Sequence, residues 1–276
     1  SKVWSSIIKK LFFKSEVSVR FLTGIILLSC ALLIIYSGKL LLSVTMGILS
    51  IFTLRELLKL DPSGEKAGVQ AMLPFASVAH LLLIYIDLNE TSSTHISYTL
   101  AFIIALIFIT YFTISSTLFR ISYIYILFSF CLFQCVLFSN FIGENYSFIY
   151  FFMSIVVITD TAGYVVGKFL GGPKPFKSIS PKKTASGYLG GIVLAILLSH
   201  YWPVKYGLQN EIFILFGVLL SLSVQIGDLL ESIFKRTINI KDTGNLFPGH
   251  GGLLDRFDGF IASVFLIYVL SFFMNG

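Results

Sequence analysis

Apolar residues arrive in nine long stretches, each about 15 to 24 residues, separated by polar segments most of which are short. A helix rises 1.5 Å per residue, so about 20 apolar residues cross a ~30 Å hydrocarbon layer. Inside hydrocarbon no water can pair with the backbone, which restricts single spans to helices. The stretches cover residues 21–37, 40–58, 69–86, 96–119, 121–143, 146–167, 187–202, 212–230 and 259–274. The chain thus reads as all-α, a polytopic integral membrane helix bundle with about nine transmembrane helices. Its 276 residues are 56% hydrophobic and only 12% charged, which excludes an ordinary soluble domain.

Two spans carry charges near an end, Arg55 and Glu56 in the second and Asp228 in the eighth, from where side chains can reach the interface. The basic residues set the orientation. With the N-terminus cytoplasmic and the side alternating at each span, every lysine and arginine except Lys39 and Lys205 falls inside. The net charge of +6 is then an orientation signal, and no nucleic acid is needed to explain it.

Lys9, Lys10 and Lys14 interrupt any apolar core of a signal peptide, while Trp4, Ile7, Ile8, Leu11 and Phe12 recur at helical spacing. Residues 1–20 are therefore expected to form an amphipathic surface helix. Residues 21–145 read as scaffold and lipid-access spans, and 146–276 as a catalytic region with long cytoplasmic loops at 168–186 and 232–258. Cys30, Cys131 and Cys135 lie in apolar runs and read as small buried hydrophobes.

Acids beside apolar helices are costly, and five gather next to these two loops. Asp228 and Glu231 stand three apart at the end of the eighth span, and Asp255 and Asp258 repeat that spacing at the start of the ninth. Each pair shares a helix face, so the four can meet. Such a cluster needs a counter-charge: either a hard divalent cation with oxygen ligands, or ion pairs with Lys235, Arg236, Lys241 and Arg256. Between the pairs, Pro248-Gly249-His250-Gly251-Gly252 offers glycines that let backbone N–H groups approach a phosphate. His250 is open to roles as general acid, metal ligand or phosphate donor; no second histidine or cysteine is near enough to suggest zinc.

The first loop carries Ser180-Pro181-Lys182-Lys183-Thr184 ahead of Gly187, Gly190 and Gly191. It suits an anion at a helix start, or equally juxtamembrane lysines on anionic lipid with glycines for helix packing. Asp160, among Thr159, Thr161, Gly163 and Gly167, is either a helix-packing polar site or a substrate-site carboxylate.

The run at 232–258, SIFKRTINIKDTGNLFPGHGGLLDRFD, resembles the signature of bacterial phosphatidate cytidylyltransferases, also called CDP-diacylglycerol synthases, at every specified position. The Asp160-Thr161 segment, the Ser180–Thr184 loop and Gly227-Asp228-Leu229-Leu230-Glu231-Ser232 follow that family's order; the first half resembles it only as a multi-span profile. The resemblance implies Mg²⁺-dependent reaction of CTP with phosphatidate to give CDP-diacylglycerol and pyrophosphate. It assigns catalysis to Asp228, Asp255, Asp258, Lys241 and His250. Metal binding falls to Asp228, Glu231, Asp255 and Asp258, with a monovalent ion such as K⁺ as a possible second cation. Substrate binding falls to Asp160, Ser180, Lys182, Lys183, Thr184, Lys235, Arg236, Gly251, Gly252 and Arg256. It also implies a homodimer, multi-pass in the cell (inner) membrane, with its active site facing the cytoplasm. One position departs: Ser186 stands where family members commonly carry glutamate.

Two other classes compete. Asp255-Arg256-Phe257-Asp258-Gly259 followed by Ala262 imitates the start of the CDP-alcohol phosphotransferase motif, but Ser263 replaces its arginine and the following paired aspartates are missing. A transporter would place its acids at mid-membrane rather than at one face.

Overall fold

The computed structural model describes residues 29–60, 119, 121–122, 124, 126, 147–202, 210–244, 246 and 251–275. The surface helix expected over 1–20, the span at 69–86, most of those at 96–119 and 121–143, Cys131, Cys135, Lys205 and His250 lie outside these residues. Cys30, expected buried, is exposed and free.

The described chain is helical, with no strand. Its principal helices are α1 (Lys39–Lys59), α2 (Ser147–Leu170), α3 (Ala185–Tyr201), α4 (Asn210–Thr237) and α5 (Leu254–Asn275). Among the described residues, α1, α2 and α4 are long and apolar enough to cross a membrane, and α3 is a shorter apolar helix. The spans expected at 40–58, 146–167, 187–202, 212–230 and 259–274 thus coincide with helices. These helices run a few residues past the apolar stretches, so α4 carries its polar Glu231, Lys235 and Arg236 in helical register.

Helix α3 packs on α2 and α4, and α5 lies mainly against α4. Glycines set the closeness of both main crossings. A Cβ on Gly187 would stand 2.5 Å from the Gly163 carbonyl oxygen and 3.4 Å from the Gly167 Cα, so the start of α3 lies directly on the backbone of α2. A Cβ on Gly227 would likewise stand 2.5 Å from the Asp258 carbonyl oxygen, and one on Gly259 would stand 2.7 Å from Val224. Small residues on both partners permit this approach, which van der Waals contact rewards.

The core is aromatic and aliphatic. Phe151 packs on Trp202 at 5.5 Å and Phe213 at 5.4 Å, and Phe152 on Phe260 at 5.7 Å, which ties α2 to α4 and α5. From the first half of the chain, Phe119 meets Phe234 edge-on at 5.5 Å. Large apolar side chains such as Leu33, Phe169 and Leu189 stand exposed, as a bundle surrounded by lipid requires and one surrounded by water does not tolerate in such number.

Candidate active site

The site lies where the C-terminal ends of α2 and α4 meet the N-terminal ends of α3 and α5. The two polar loops touch there: Arg236 donates from Nε to the Ile179 carbonyl oxygen at 3.3 Å. The first loop closes on itself through Ala185 N to Pro173 O at 2.8 Å. Thr184 is the N-cap of α3, its hydroxyl accepting from Gly187 N at 3.2 Å. Ser186 hydrogen-bonds the Thr184 hydroxyl at 2.9 Å and donates to the Gly171 carbonyl oxygen. At this divergent position, then, serine joins the end of α2 to the start of α3.

On α4, Gln225, Asp228, Glu231 and Lys235 repeat every three or four residues and share one face. The reciprocal approach of Gly227 and Gly259 brings that face against the first turns of α5. Asp228, Glu231 and Asp258 each offer one oxygen, all within 4.8 Å of one another. Glu231 is 8% exposed, and its Oε1 has no hydrogen-bond partner. Three convergent carboxylates with a buried, unsatisfied oxygen match the donor set of a hard cation, so the residues fit a divalent metal.

Asp255, the fourth acid, turns elsewhere. Its Oδ1 receives Lys235 Nζ at 2.8 Å, and its Oδ2 receives Thr243 N at 2.8 Å, Thr243 Oγ1 at 3.0 Å and Gly252 N at 2.8 Å. Burial alone would raise its pKa, but the Lys235 and Gly252 hydrogen bonds prevail and hold it at about 2. Lys235 also stands 2.6 Å from Glu231 Oε2. Ion pairing and metal-type convergence therefore coexist: Lys235 bridges the Glu231 and Asp255 carboxylates, and Lys183 pairs with Asp228. Burial lowers the Lys183 pKa, against the opposing pull of Asp160, Asp258 and Glu231.

Beside the three acids opens a cavity of about 600 Å³. Of the residues singled out in the sequence, Asp160, Ser180, Lys182, Lys183, Thr184, Asp228, Asp255, Arg256 and Asp258 line it. Glu231, Lys235, Arg236, Lys241, Gly251 and Gly252 do not. Arg236 is spent on the Ile179 and Ile240 carbonyls, Lys241 is exposed, and Gly252 binds Asp255. Gly251 adopts φ +82°, and a Cβ there would stand 2.7 Å from Asp255 Oδ2. This position requires glycine on both counts.

The sequence matches a model of the cytidylyltransferase family over residues 18–274. It belongs to the cytidylyltransferase family. Among the curated relatives of this cytidylyltransferase is the phosphatidate cytidylyltransferase of Bacillus subtilis (strain 168), 44% identical over 135 residues, which are 47% of this chain and 50% of that one. Those of Staphylococcus aureus (strain COL) and Staphylococcus epidermidis (strain ATCC 12228) are each 34% identical over 91% of this chain and 98% of theirs.

Three polar residues at or near this cavity were not singled out in the sequence for a role in it. Gln225 lines the cavity and donates to the Tyr188 carbonyl oxygen at 3.1 Å, and Tyr188 itself lines the wall beside Lys183. Glu56, from α1, accepts from Leu253 N at 2.7 Å and Leu254 N at 2.9 Å. The available signal for Gln225 and Glu56 was the same one that marked Asp228: a polar group inside an otherwise apolar span.

Proposed function

We propose that this chain transfers the cytidylyl group of CTP to phosphatidate, forming CDP-diacylglycerol and releasing pyrophosphate. The observation that carries it is the convergence of Asp228, Glu231 and Asp258 beside a lysine-lined cavity at the ends of membrane-type helices. The names of the relatives, phosphatidate cytidylyltransferases, agree with it.

Phosphatidate carries a phosphomonoester whose second pKa is about 6, so at neutral pH it is largely dianionic and needs no protein base. One of its oxygens attacks the α-phosphorus of CTP; the new P–O bond forms as the bond to the bridging oxygen of the β-phosphate breaks, and pyrophosphate leaves with that electron pair. The obstacle is the approach of two anions and the charge on the leaving group. Lys182, Lys183 and Arg256 line the cavity and supply positive charge to the phosphates. Asp228, Glu231 and Asp258 would hold Mg²⁺, with K⁺ as a second cation. Bound there, the cation supplies charge neutralisation along the triphosphate. Asp255, held by Lys235, keeps Thr243 and Gly252 beside the cluster, and a pocket-shaping role for His250 is part of the same proposal.

The same reading places nine spans in the cell membrane, the N-terminus in the cytoplasm, the site facing the cytoplasm and two copies in a homodimer. It is supported by the meeting of the ends of α1, α2 and α4 with the starts of α3 and α5, since alternation from a cytoplasmic N-terminus sends all five to that side. A site at helix ends admits CTP from water while the acyl chains stay in the bilayer.

Radiolabelled CTP tests the reading. Label should enter solvent-extractable lipid with phosphatidate alone, cease with EDTA and return with Mg²⁺. No incorporation under any Mg²⁺ and detergent condition, or release of CMP from CDP-diacylglycerol only with an added alcohol, would overturn it.

A further inference from the structure

The second apolar span carries a carboxylate at a position where a helix of this kind gains nothing from one. Glu56 is half-buried on α1, yet its Oε2 accepts the main-chain N–H of Leu253 at 2.7 Å and of Leu254 at 2.9 Å, across nearly 200 residues of chain. These amides belong to the start of α5, and the first N–H groups of a helix have no acceptor within it. The next amide toward the N-terminus, Gly252 N, goes to Asp255 Oδ2 at 2.8 Å. Three successive N–H groups are thus divided between two carboxylates, one from each half of the chain.

Glycines make room for Glu56. A Cβ on either Gly244 or Gly252 would collide with its Oε1, so the two ends of the 244–252 segment close around this carboxylate. Glu56 anchors the amides that begin α5, and one turn later the helix presents Asp258 to Asp228 and Glu231.

We propose that Glu56 is a positioning residue: a clasp from the N-terminal half that fixes the start of α5 and, through it, the place of Asp258 in the metal-binding cluster. The inference rests on the proposed metal role of that cluster. Glu56 touches neither the three acids' shared space nor the cavity wall. Its effect is therefore on how well the cluster is assembled, and is read in cation affinity more than in the binding of CTP.

The experiment measures Mn²⁺ binding to purified full-length chain in detergent by electron paramagnetic resonance, beside the Mg²⁺ concentration for half-maximal turnover. Glu56→Ala should weaken Mn²⁺ binding and raise the Mg²⁺ requirement about 10-fold, with the KM for CTP at saturating Mg²⁺ little changed. Glu56→Gln keeps a carbonyl acceptor and should stay within about threefold of wild type. Glu56→Asp keeps the charge but falls one methylene short, and should resemble the alanine variant. Should the alanine variant not fold, the Gln and Asp variants carry the test. Gly252→Ala should reproduce the Glu56→Ala shift, and the double variant should be no worse than either. Wild-type chain that binds no Mn²⁺ would overturn the metal reading and the clasp with it. Wild type that binds Mn²⁺, with Glu56→Asp binding it equally well, would overturn the clasp alone, as would losses of folded protein with no shift in cation affinity.

Discussion

Two pairs of acids with identical spacing have different fates. On α4, Asp228 and Glu231 both turn into the cluster; on α5, Asp258 joins them while Asp255 bonds to Lys235, Thr243 and Gly252. The difference comes from position within the helix. The α4 pair sits in the last turns, where every N–H is already bonded within the helix, so neither side chain is drawn to the backbone and both turn into the cluster. On α5 only Asp255 sits in the first turn, within reach of the N–H groups of Thr243 and Gly252 ahead of the helix, while Asp258 lies a turn further in. Identical i, i+3 spacing therefore yields two ligand-type acids in one case, and one ligand-type acid with one loop organiser in the other.

The sharpest way to break this contrast is to neutralise members of each pair. Asp258→Asn and Asp228→Asn should each lower turnover on the order of 10³-fold, with the chain still folded in the membrane, as labelled-lipid formation and size exclusion would record. Asp255→Asn should act through the loop instead: an activity loss of about 10- to 100-fold, together with a lower midpoint of thermal unfolding as Lys235 loses a partner. Equal effects at 255 and 258, with no stability change at 255, would erase the distinction.

Gly227→Ala probes what brings the two pairs together. The added methyl meets the Asp258 carbonyl and Ala262, so α4 and α5 must separate, at a cost of about 1 to 3 kcal/mol in stability and a measurable loss of Mn²⁺ affinity. Lys241→Ala should give the smallest effect. The side chain is exposed and off the cavity wall, and kcat/KM for CTP should stay within about threefold. A large loss there would return Lys241 to the phosphate-binding set.

Much of the site could be read along the chain because acids and lysines are rare in it and hydrocarbon tolerates them poorly. Asp160, Asp228 and Asp258 stood out beside apolar spans and Lys183 within a basic polar loop, and the four meet at one cavity. Ser180 and Thr184 stood out less for their chemistry than for their place before Gly187, and the Thr184 hydroxyl turns out to cap α3. Arg236 and Lys241 looked equivalent to Lys235 in the same polar run. Periodicity could not separate them, because what distinguishes them is which carbonyl or carboxylate another element brings within reach. Glu56 was legible only as an oddity, since its partners lie in the last tenth of the chain.

Apolar runs of helical crossing length, the scarcity of charge and the polar signature at 232–258 determined by themselves that the chain is a helical membrane protein and where its charged residues gather. These are properties of composition and order, and the low dielectric of a bilayer enforces them on each segment separately. Which acids face one another, which lysine each one keeps, and that a carboxylate from the first half holds the start of α5 were decided only by tertiary structure. Those outcomes depend on the contact distances set at the glycine crossings, where a single methyl group alters which side chains meet.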